Sequence, residues 1–457
     1  MKDKKILVTL KFAGGDLNPF DAAALECALA IGAKDVTVLA MAPASVGEHL
    51  RALTRLGVKA VLVSDRLYAG SDTQATAYIL EAAIRRLSPD LIFCGRQSVD
   101  GDTAQVPPML AERLGYAIYP KVMAIDGDAV TLRDTRTVTP ENGSILTFER
   151  IATLRFASMF SRPGEVTVWD NSTLGLDPAK CGLFGSPTRV VRSYESSVGR
   201  RECRFTTPDR LGDLIREGLA EKRREGAVYT GAKLPCVHYV GDLAALAASL
   251  GERAVCVETE GKSAATLAAE LKAAGATIVL FEDTEENKLL APAVAVHTGA
   301  GLCADCISFR VEDGRLIMTR PARGGNVTAD IVCTGEMGMA TVRTAKKGGA
   351  DIIFSVGRGA LASLDKIAAL AERYGAELCC SRPLTDTGKM PYTAQVGLTG
   401  RAVAPRVYVA FGISGAVQHT CAIAGASRII AVNTDKNAEI FNYSDFGILC
   451  DTADIKE

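Results

Sequence analysis

Two short glycine-containing stretches near the end of the sequence have the residue types to hold a nucleotide. Ser355-Val-Gly-Arg-Gly359 and Gly412-Ile-Ser-Gly-Ala-Val-Gln-His419 each follow an apolar run and precede a helical pattern. Small residues there let a backbone approach a ligand closely. A helix start presents unpaired N–H groups and a positive dipole end, a seat for pyrophosphate. Between them, Gln395-Val-Gly-Leu-Thr-Gly-Arg401 gathers an amide, a hydroxyl and a cation in a glycine-shaped loop. Ser381-Arg382 closes an apolar run where an Arg can project over a ring system, and Asn433 and Asp451 close two more. Taken alone, each is also an ordinary turn, a surface loop or a solvated side chain. Two Gly-rich turns in one stretch are more telling than one. A lone histidine is usually structural, but His419 stands beside one of these helix starts.

A third stretch, Gly95-Arg-Gln-Ser-Val-Asp-Gly-Asp-Thr-Ala-Gln105, reads as a strand end, a polar loop and a helix beginning near Asp102-Thr103. Its backbone donors and hydroxyl suit phosphate; a capping box or simple turn accounts for the same residues. Cys303-Ala-Asp-Cys306 has CxxC spacing. One such pair with no histidine nearby is a weak zinc signal, and two core thiols are the simpler reading. No Ser-His-Asp set, Cys-His set or metal cluster emerges, and the acidic residues are dispersed.

The elements that must position these residues alternate. Lys5–Leu10, Val36–Met41, Ala60–Ser64 and Leu91–Gly95 read as buried strands. Between them, Asn18-Pro19 opens a helix, Ser45 caps one to about Leu56, and Asp72 caps one to about Leu87. This order predicts a mainly parallel sheet covered on both faces. Ala129–Arg133, Ser144–Phe148 and Ile151–Phe156 look like hairpin strands, and Trp169 to Ser193 an extended arm. Thr207-Pro208 opens a helix with Leu211, Leu214, Ile215 and Leu219 on one face, Lys222-Arg223-Arg224 in its last turn and Gly226 as a stop. A second α/β stretch begins near Leu234, with strands Ala254–Val257 and Thr277–Phe281 and a helix Ser263–Ala274. A third begins near Ala350, with strands Asp351–Val356, Glu377–Cys380, Val407–Phe411, Ile429–Asn433 and Gly447–Cys450. Helices Ser363–Tyr374 and Ala416–Ala424 separate some of these.

The chain has 457 residues, 48% hydrophobic and 23% charged, with a formal net charge of −1. That leaves no basic surplus to drive nucleic-acid or anionic-lipid binding. The apolar run Ile6–Leu10 is too short for a signal peptide and no run has the length of a membrane span, so a cytoplasmic protein is expected. The 13 cysteines read as thiols, not disulfides.

Taken together and in this chain's order, VGRGA, SRPLTDTG, QVGLTGR, GISGAVQH and IIAVN resemble the large (alpha) subunit of electron-transfer flavoproteins. GLCADC and RPARGGN, within Leu234 to Val342, resemble the first domain of the same subunit. Asn18-Pro-Phe-Asp21, the Gly95–Gln105 stretch and Gly185-Ser-Pro-Thr188 resemble the small (beta) subunit. The resemblance covers nearly the whole chain and implies an α/β protein of three domains, two related parallel-sheet nucleotide-binding-like domains plus a C-terminal FAD-binding α/β domain. Its parts are residues 1–193, a connector 194–232, 233–345 and 346–457. It implies FAD contacts at Arg358, Gly359, Ser381, Arg382, Gln395, Val396, Gly397, Thr399, Ser414, Gly415, Ala416, Val417, Gln418, His419, Asn433, Asp451 and Thr452. A second FAD or an AMP would meet Asn18, Pro19, Phe20, Asp21, Met41, Gly95, Asp100, Gly101, Asp102, Thr103, Ala104, Gln105 and Val106. The form DGDTAQV is similar to members with a second FAD that bifurcate electrons from NADH. Departures from the family pattern are the short Phe12 to Leu17 loop, Pro107 where Gly is usual, Arg401 where Lys is usual, and an end soon after Asp451 in place of a C-terminal helix.

The resemblance puts Arg382, Thr399 and His419 nearest the isoalloxazine, where Arg382 and His419 would bring positive charge or donors and Thr399 a hydrogen bond near N5. A unit charge at ~4 Å and an effective dielectric of ~20 is worth ~4 kcal/mol. For one electron that is about 170 mV, taking about 59 mV per tenfold change. The expected role is a one-electron carrier between an acyl-CoA dehydrogenase-type flavoenzyme and an acceptor such as ferredoxin or another redox protein. A bifurcating flavin enzyme and a nucleotide-binding regulatory module are the competing readings. Thr344–Gly349, with Lys346-Lys347-Gly348-Gly349, reads as a hinge or an ordinary loop.

Overall fold

The computed structural model describes residues 1–195, 199–221, 229, 231–344 and 349–455. Lys222-Arg223-Arg224, Gly226 and the centre of the expected hinge, Lys346 to Gly348, lie outside the described residues. The chain is an α/β protein that divides into two compact units. Unit 1 comprises Met1–Ser193, Tyr229–Arg323 and Ala329–Val342; unit 2 comprises Tyr194–Val228, Gly324–Thr328 and Arg343–Glu457.

Unit 1 holds two mainly parallel sheets. In the first, strands run in the order Val166–Trp169, Lys59–Val63, Asp35–Met41, Lys5–Leu10, Leu91–Gly95, Ser144–Phe148 and Ala117–Asp126, with Ala129–Leu132 and Thr137–Val138 added antiparallel at one edge. The apolar runs Ile6–Val8 and Leu91–Phe93 are buried on both faces, as a central parallel strand requires. Ser144–Phe148 pairs parallel with Leu91–Gly95 and Ala117–Asp126, so it is an interior strand and not half of a hairpin. Ile151–Phe156 forms no strand. The second sheet orders Gly251–Cys256, Leu234–Val240, Ile278–Glu282, Gly338–Val342 and Gly301–Cys306, all parallel. Helices Thr73–Leu87, Val106–Leu114, Ala264–Ala273 and Asn287–Thr298 contribute to one shared apolar cluster around Met109, Leu110, Leu267 and Val294. His297 Nε2 meets Glu112 Oε1 at 2.6 Å across the same seam.

Unit 2 is a six-stranded parallel sheet: Arg204–Thr206, Phe446–Leu449, Arg428–Asn433, Val407–Phe411, Ile352–Val356 and Glu377–Cys380. Helix Leu211–Ala220 buries Leu211, Leu214 and Ile215 against this sheet's core, on the face its sequence pattern predicts. Gly218 is required there, because a Cβ would stand 2.6 Å from Val407. Among the described residues no helix is long and apolar enough to cross a membrane.

Candidate functional site

In unit 2 the parallel register aligns Cys380, Val356, Phe411 and Val432, so the segments leaving these strands share one end of the sheet. Open α/β sheets bind ligands at that carboxyl end. Gly357 N–H donates to Phe411 O at 2.7 Å, Gly359 N–H to Gly412 O at 3.1 Å and Ser381 N–H to Val356 O at 3.0 Å. Several glycines here serve the chain itself. A Cβ on Gly412, at φ +60, would lie 2.3 Å from Ala360 N, and one on Gly357 2.3 Å from Gly412 O. A Cβ on Gly415, at φ +90, would stand 2.0 Å from the Ile440 backbone nitrogen. The two Gly-rich turns thus interlock with each other and with the next loop.

The Gln395–Arg401 loop docks onto the same rim. Val396 N–H donates to Cys380 O at 2.9 Å and Leu398 N–H to Gln418 O at 2.6 Å. Gln395 Nε2 donates to Thr399 Oγ1 at 2.8 Å, fixing that hydroxyl. Arg401 anchors the loop's end: its guanidinium donates to Cys379 Sγ at 2.8 Å and pairs with Glu377. Gly397, at φ +149, approaches Gln418 O. Ser381, Gln395, Val396, Gly415, His419 and Thr452 are buried, whereas Arg358, Gly359, Ser414, Ala416, Gln418 and Asp451 are exposed on the rim. Asp451 caps the turn Thr452–Asp454, its Oδ1 accepting from Ala453 N–H at 2.9 Å. The Asn433 amide is engaged by the chain, donating to Ile413 O at 2.9 Å and accepting from Asp435 N–H at 3.0 Å.

Two sequence expectations need correction. The helix expected over Ala416–Ala424 is Val417–Thr420 only. His419 and Thr420 N–H groups both close on Ala416 O there. His419 also brings no positive charge at neutral pH. Its Nε2 meets the Tyr408 hydroxyl at 2.8 Å, and burial pulls its pKa down to about 4 against the Val396 carbonyl. Nδ1 is buried and closes no well-formed hydrogen bond, with the Val396 carbonyl as the chain's nearest acceptor for it. Arg382 is charged, but Nε donates to Asp386 Oδ2 at 3.1 Å. The residues on this rim fit a nucleotide with a polar ring system.

In unit 1 the expected second site is a cavity of ≈ 900 Å³ at the carboxyl ends of the first sheet. Asn18, Asp21, Met41, Gly95, Gly101, Thr103, Ala104, Gln105 and Val106 line it. Pro19, Phe20, Asp100 and Asp102 are not among its lining residues. Phe20 is buried beside Gly95 and beneath the Arg96 guanidinium, Asp100 pairs with Lys11 at 2.8 Å, and Asp102 accepts from Gln97 at 3.0 Å. Asn18 is no side-chain cap; its amide donates to Gln97 O at 2.9 Å. Asp21 is a clamp. Its oxygens accept from Lys11 N–H at 2.7 Å and Gly95 N–H at 2.9 Å, while burial pushes its pKa up to about 7. Asp102 and Ala104 hold φ of +52 and +54, costly for non-glycine residues and a sign of a conformation imposed by its surroundings. The following helix starts at Val106, not near Asp102, with Pro107 and Pro108 in its first turn. Arg66 and Thr73 also line the cavity, and the sequence motifs did not point to them. Thr73 opens the helix capped by Asp72, and its Oγ1 donates to Gln105 at 2.8 Å. That cap was the available signal: two helix starts converge on one cavity.

Among the described residues no disulfide joins the cysteines, and no group of three or more His, Cys, Asp or Glu side chains is placed to hold a metal ion. Cys303 and Cys306 are buried in a strand.

A family model described as Electron transfer flavoprotein domain matches residues 6–154 and 243–348. A second, described as Electron transfer flavoprotein FAD-binding domain, matches residues 348–424 and supports FAD as the cofactor of that part. Protein FixA of Azorhizobium caulinodans is 38% identical over 207 residues, covering 40% of this chain and 74% of that protein. Electron transfer flavoprotein subunit beta of Clostridium acetobutylicum is 34% identical over 242 residues, 49% of this chain and 87% of its own. Caffeyl-CoA reductase-Etf complex subunit CarD of Acetobacterium woodii is 36% identical over 228 residues, 45% of this chain and 86% of its own.

Proposed function

The chain belongs to the electron transfer flavoprotein family, with beta-like and FAD-binding alpha-like parts fused, and from that premise we propose how it carries electrons. The proposed division is residues 1–193, 194–232, 233–345 and 346–457, in a cytoplasmic protein. FAD in the last part would supply the redox chemistry. The chain's own task there is to seat and orient it. The interlocked turns at Gly357–Gly359 and Gly412–Gly415 and the exposed Arg358 suit the pyrophosphate. Gln395 holds the Thr399 hydroxyl, His419 offers Nδ1 from a buried position, and Arg382 contributes a cation at the rim. The observation that carries this reading is the convergence of Arg382, Thr399 and His419 on the carboxyl end of one sheet, within the span matched by the FAD-binding family.

The cavity of unit 1 supports a second nucleotide. Small-ligand pockets run from about 300 to 1,000 Å³, and one of ≈ 900 Å³ is more than a mononucleotide fills. That favours a second FAD over AMP, and with it bifurcation from NADH over simple carriage. CarD is named as part of a caffeyl-CoA reductase complex. By analogy, an acyl-CoA dehydrogenase-type flavoenzyme is the proposed partner, with ferredoxin or another redox protein as the other acceptor. The deciding experiment is release of bound cofactors by denaturation, followed by chromatography, with NADH titration in parallel. Two FAD per chain and bleaching by NADH support bifurcation. One FAD with one AMP, reduced only by the dehydrogenase, leaves the simple carrier. No flavin after incubation with FAD refutes both.

A further inference from the structure

The Asp386 carboxylate sits on the guanidinium of Arg382. Helix Arg382–Asp386 is little more than one turn, so its first and last residues are four apart and share a face. Arg382 Nε donates to Asp386 Oδ2 at 3.1 Å. The other oxygen accepts from the Tyr392 hydroxyl at 3.3 Å. The turn itself is stiffened. Pro383 fixes φ at its start, Thr385 Oγ1 donates back to Arg382 O at 2.8 Å, and Thr387 Oγ1 to Pro383 O at 3.0 Å. Thr385 also reaches Gln395 Oε1 at 3.4 Å, tying the turn to the loop that carries Thr399. The Arg382 and Asp386 side chains are 27% and 43% exposed, so the pair lies on the rim and not in the core. A pair this exposed adds little to stability. What it does fix is where a positive charge stands and how much of it is felt.

We propose that Asp386 is a positioning residue: it holds the Arg382 guanidinium at the rim, offsets part of its charge, and so sets the reduction potential of the FAD bound there. This rests on the reading that Arg382 faces the flavin. A cation beside the ring favours the more negative, reduced form, and an anion in contact with that cation cancels part of its field. Tyr392, donating to the far oxygen, keeps the carboxylate in register with the guanidinium.

The test is a reductive titration of the FAD-loaded chain against reference dyes at fixed ionic strength. Wild type, Asp386→Asn, Arg382→Gln and the double variant are compared, with FAD content per chain measured for each. Asp386→Asn keeps the side-chain shape and removes the charge. It should raise the potential by the equivalent of about tenfold in the one-electron equilibrium, about 59 mV. Arg382→Gln should lower it. In the Arg382→Gln background, Asp386→Asn should have at most about half its effect. If Arg382→Gln lowers the potential and Asp386→Asn leaves it unmoved, the proposal is wrong and the reading of Arg382 stands. If neither moves it, the reading of Arg382 fails and the proposal falls with it. Equal Asp386→Asn shifts in both backgrounds would mean that Asp386 acts by its own charge, which also overturns it. Should Asp386→Asn release FAD, Asp386→Ser carries the same comparison.

Discussion

At the scale of single residues, burial decides what His419 can do. The imidazole is buried, with Nε2 held by Tyr408 and Nδ1 closing no well-formed hydrogen bond beside the Val396 carbonyl. Taking a charged imidazolium out of water is costly, and the pKa of about 4 follows from that. Between pH 4 and about 6.5 the unfolded chain binds a proton at this residue and the native chain does not. Stability from this group is therefore fully present above about pH 6.5 and is lost as pH falls toward 4. The shift corresponds to about 3 kcal/mol. In FAD-free chain labelled with ¹⁵N-histidine, the ring of His419 should remain neutral from pH 8 down to 5, assigned by its loss in His419→Gln. Titration near 6.5 would show that the ring is open to water. Tyr408→Phe strips the Nε2 partner and should destabilise unit 2 by about 1–3 kcal/mol. A seat of this kind gives a ligand a hydrogen bond and no charge, which leaves charge tuning to Arg382.

At the scale of elements, the interlocked turns explain why glycine recurs at the rim. Gly412 and Gly375 make a matched pair, with φ of +60 and +61. Gly375 ends helix Leu364–Tyr374 with nothing within 4 Å of where a Cβ would stand, whereas a Cβ on Gly412 meets the Ala360 backbone nitrogen at 2.3 Å. Gly375→Ala should cost about 1 kcal/mol, the left-handed penalty alone. Gly412→Ala must also push two backbones apart, and should cost more than about 3 kcal/mol and release FAD. The readout is the denaturant midpoint by far-ultraviolet dichroism, with FAD content measured separately; equal midpoints for the two variants would refute the interlock. The strands under this rim are legible in the sequence, because Ile352–Val356 and Val407–Phe411, and residues 429–432 of Arg428–Asn433, are mainly apolar runs buried on both faces. The motifs themselves are legible too. What local pattern does not show is that Asn433 serves its own loop, that Asp21 is a clamp, or that the Val417–Thr420 helix is so short. Each of those depends on partners distant in sequence. Ser144–Phe148 is legible as a strand, yet its parallel place between Leu91–Gly95 and Ala117–Asp126 is set by long-range pairing that local pattern cannot carry.

At the scale of the whole molecule, a carrier must meet other proteins, and the surface of unit 1 offers a place. Phe156, Met159 and Phe160 are 98%, 90% and 94% exposed, on residues 151–165 that form neither helix nor strand. Large apolar side chains grouped in this way mark interaction surfaces. The segment is pinned at several points. Arg155 Nε donates to Glu26 at 3.0 Å, Arg55 Nη2 to Ser158 O at 2.9 Å, and Gly164 N–H to Thr54 Oγ1 at 2.7 Å. Anchored on both sides, the three side chains are presented outward at little entropic cost to a partner that covers them. The net charge of −1 gives no strong long-range field, so docking has to draw on such apolar contacts more than on steering. Replacing Phe156 and Phe160 together by Ser removes two aromatic anchors, of the kind that cost about 2 kcal/mol or more when truncated, roughly thirtyfold in affinity. The double variant should keep its FAD content and flavin potential, since neither residue lines the unit 1 cavity and the FAD-binding match lies in unit 2. Stopped-flow electron transfer from an acyl-CoA dehydrogenase-type flavoenzyme should then slow at low partner concentration and recover as the partner is raised toward saturation. An unchanged second-order rate would place the docking surface elsewhere on the molecule.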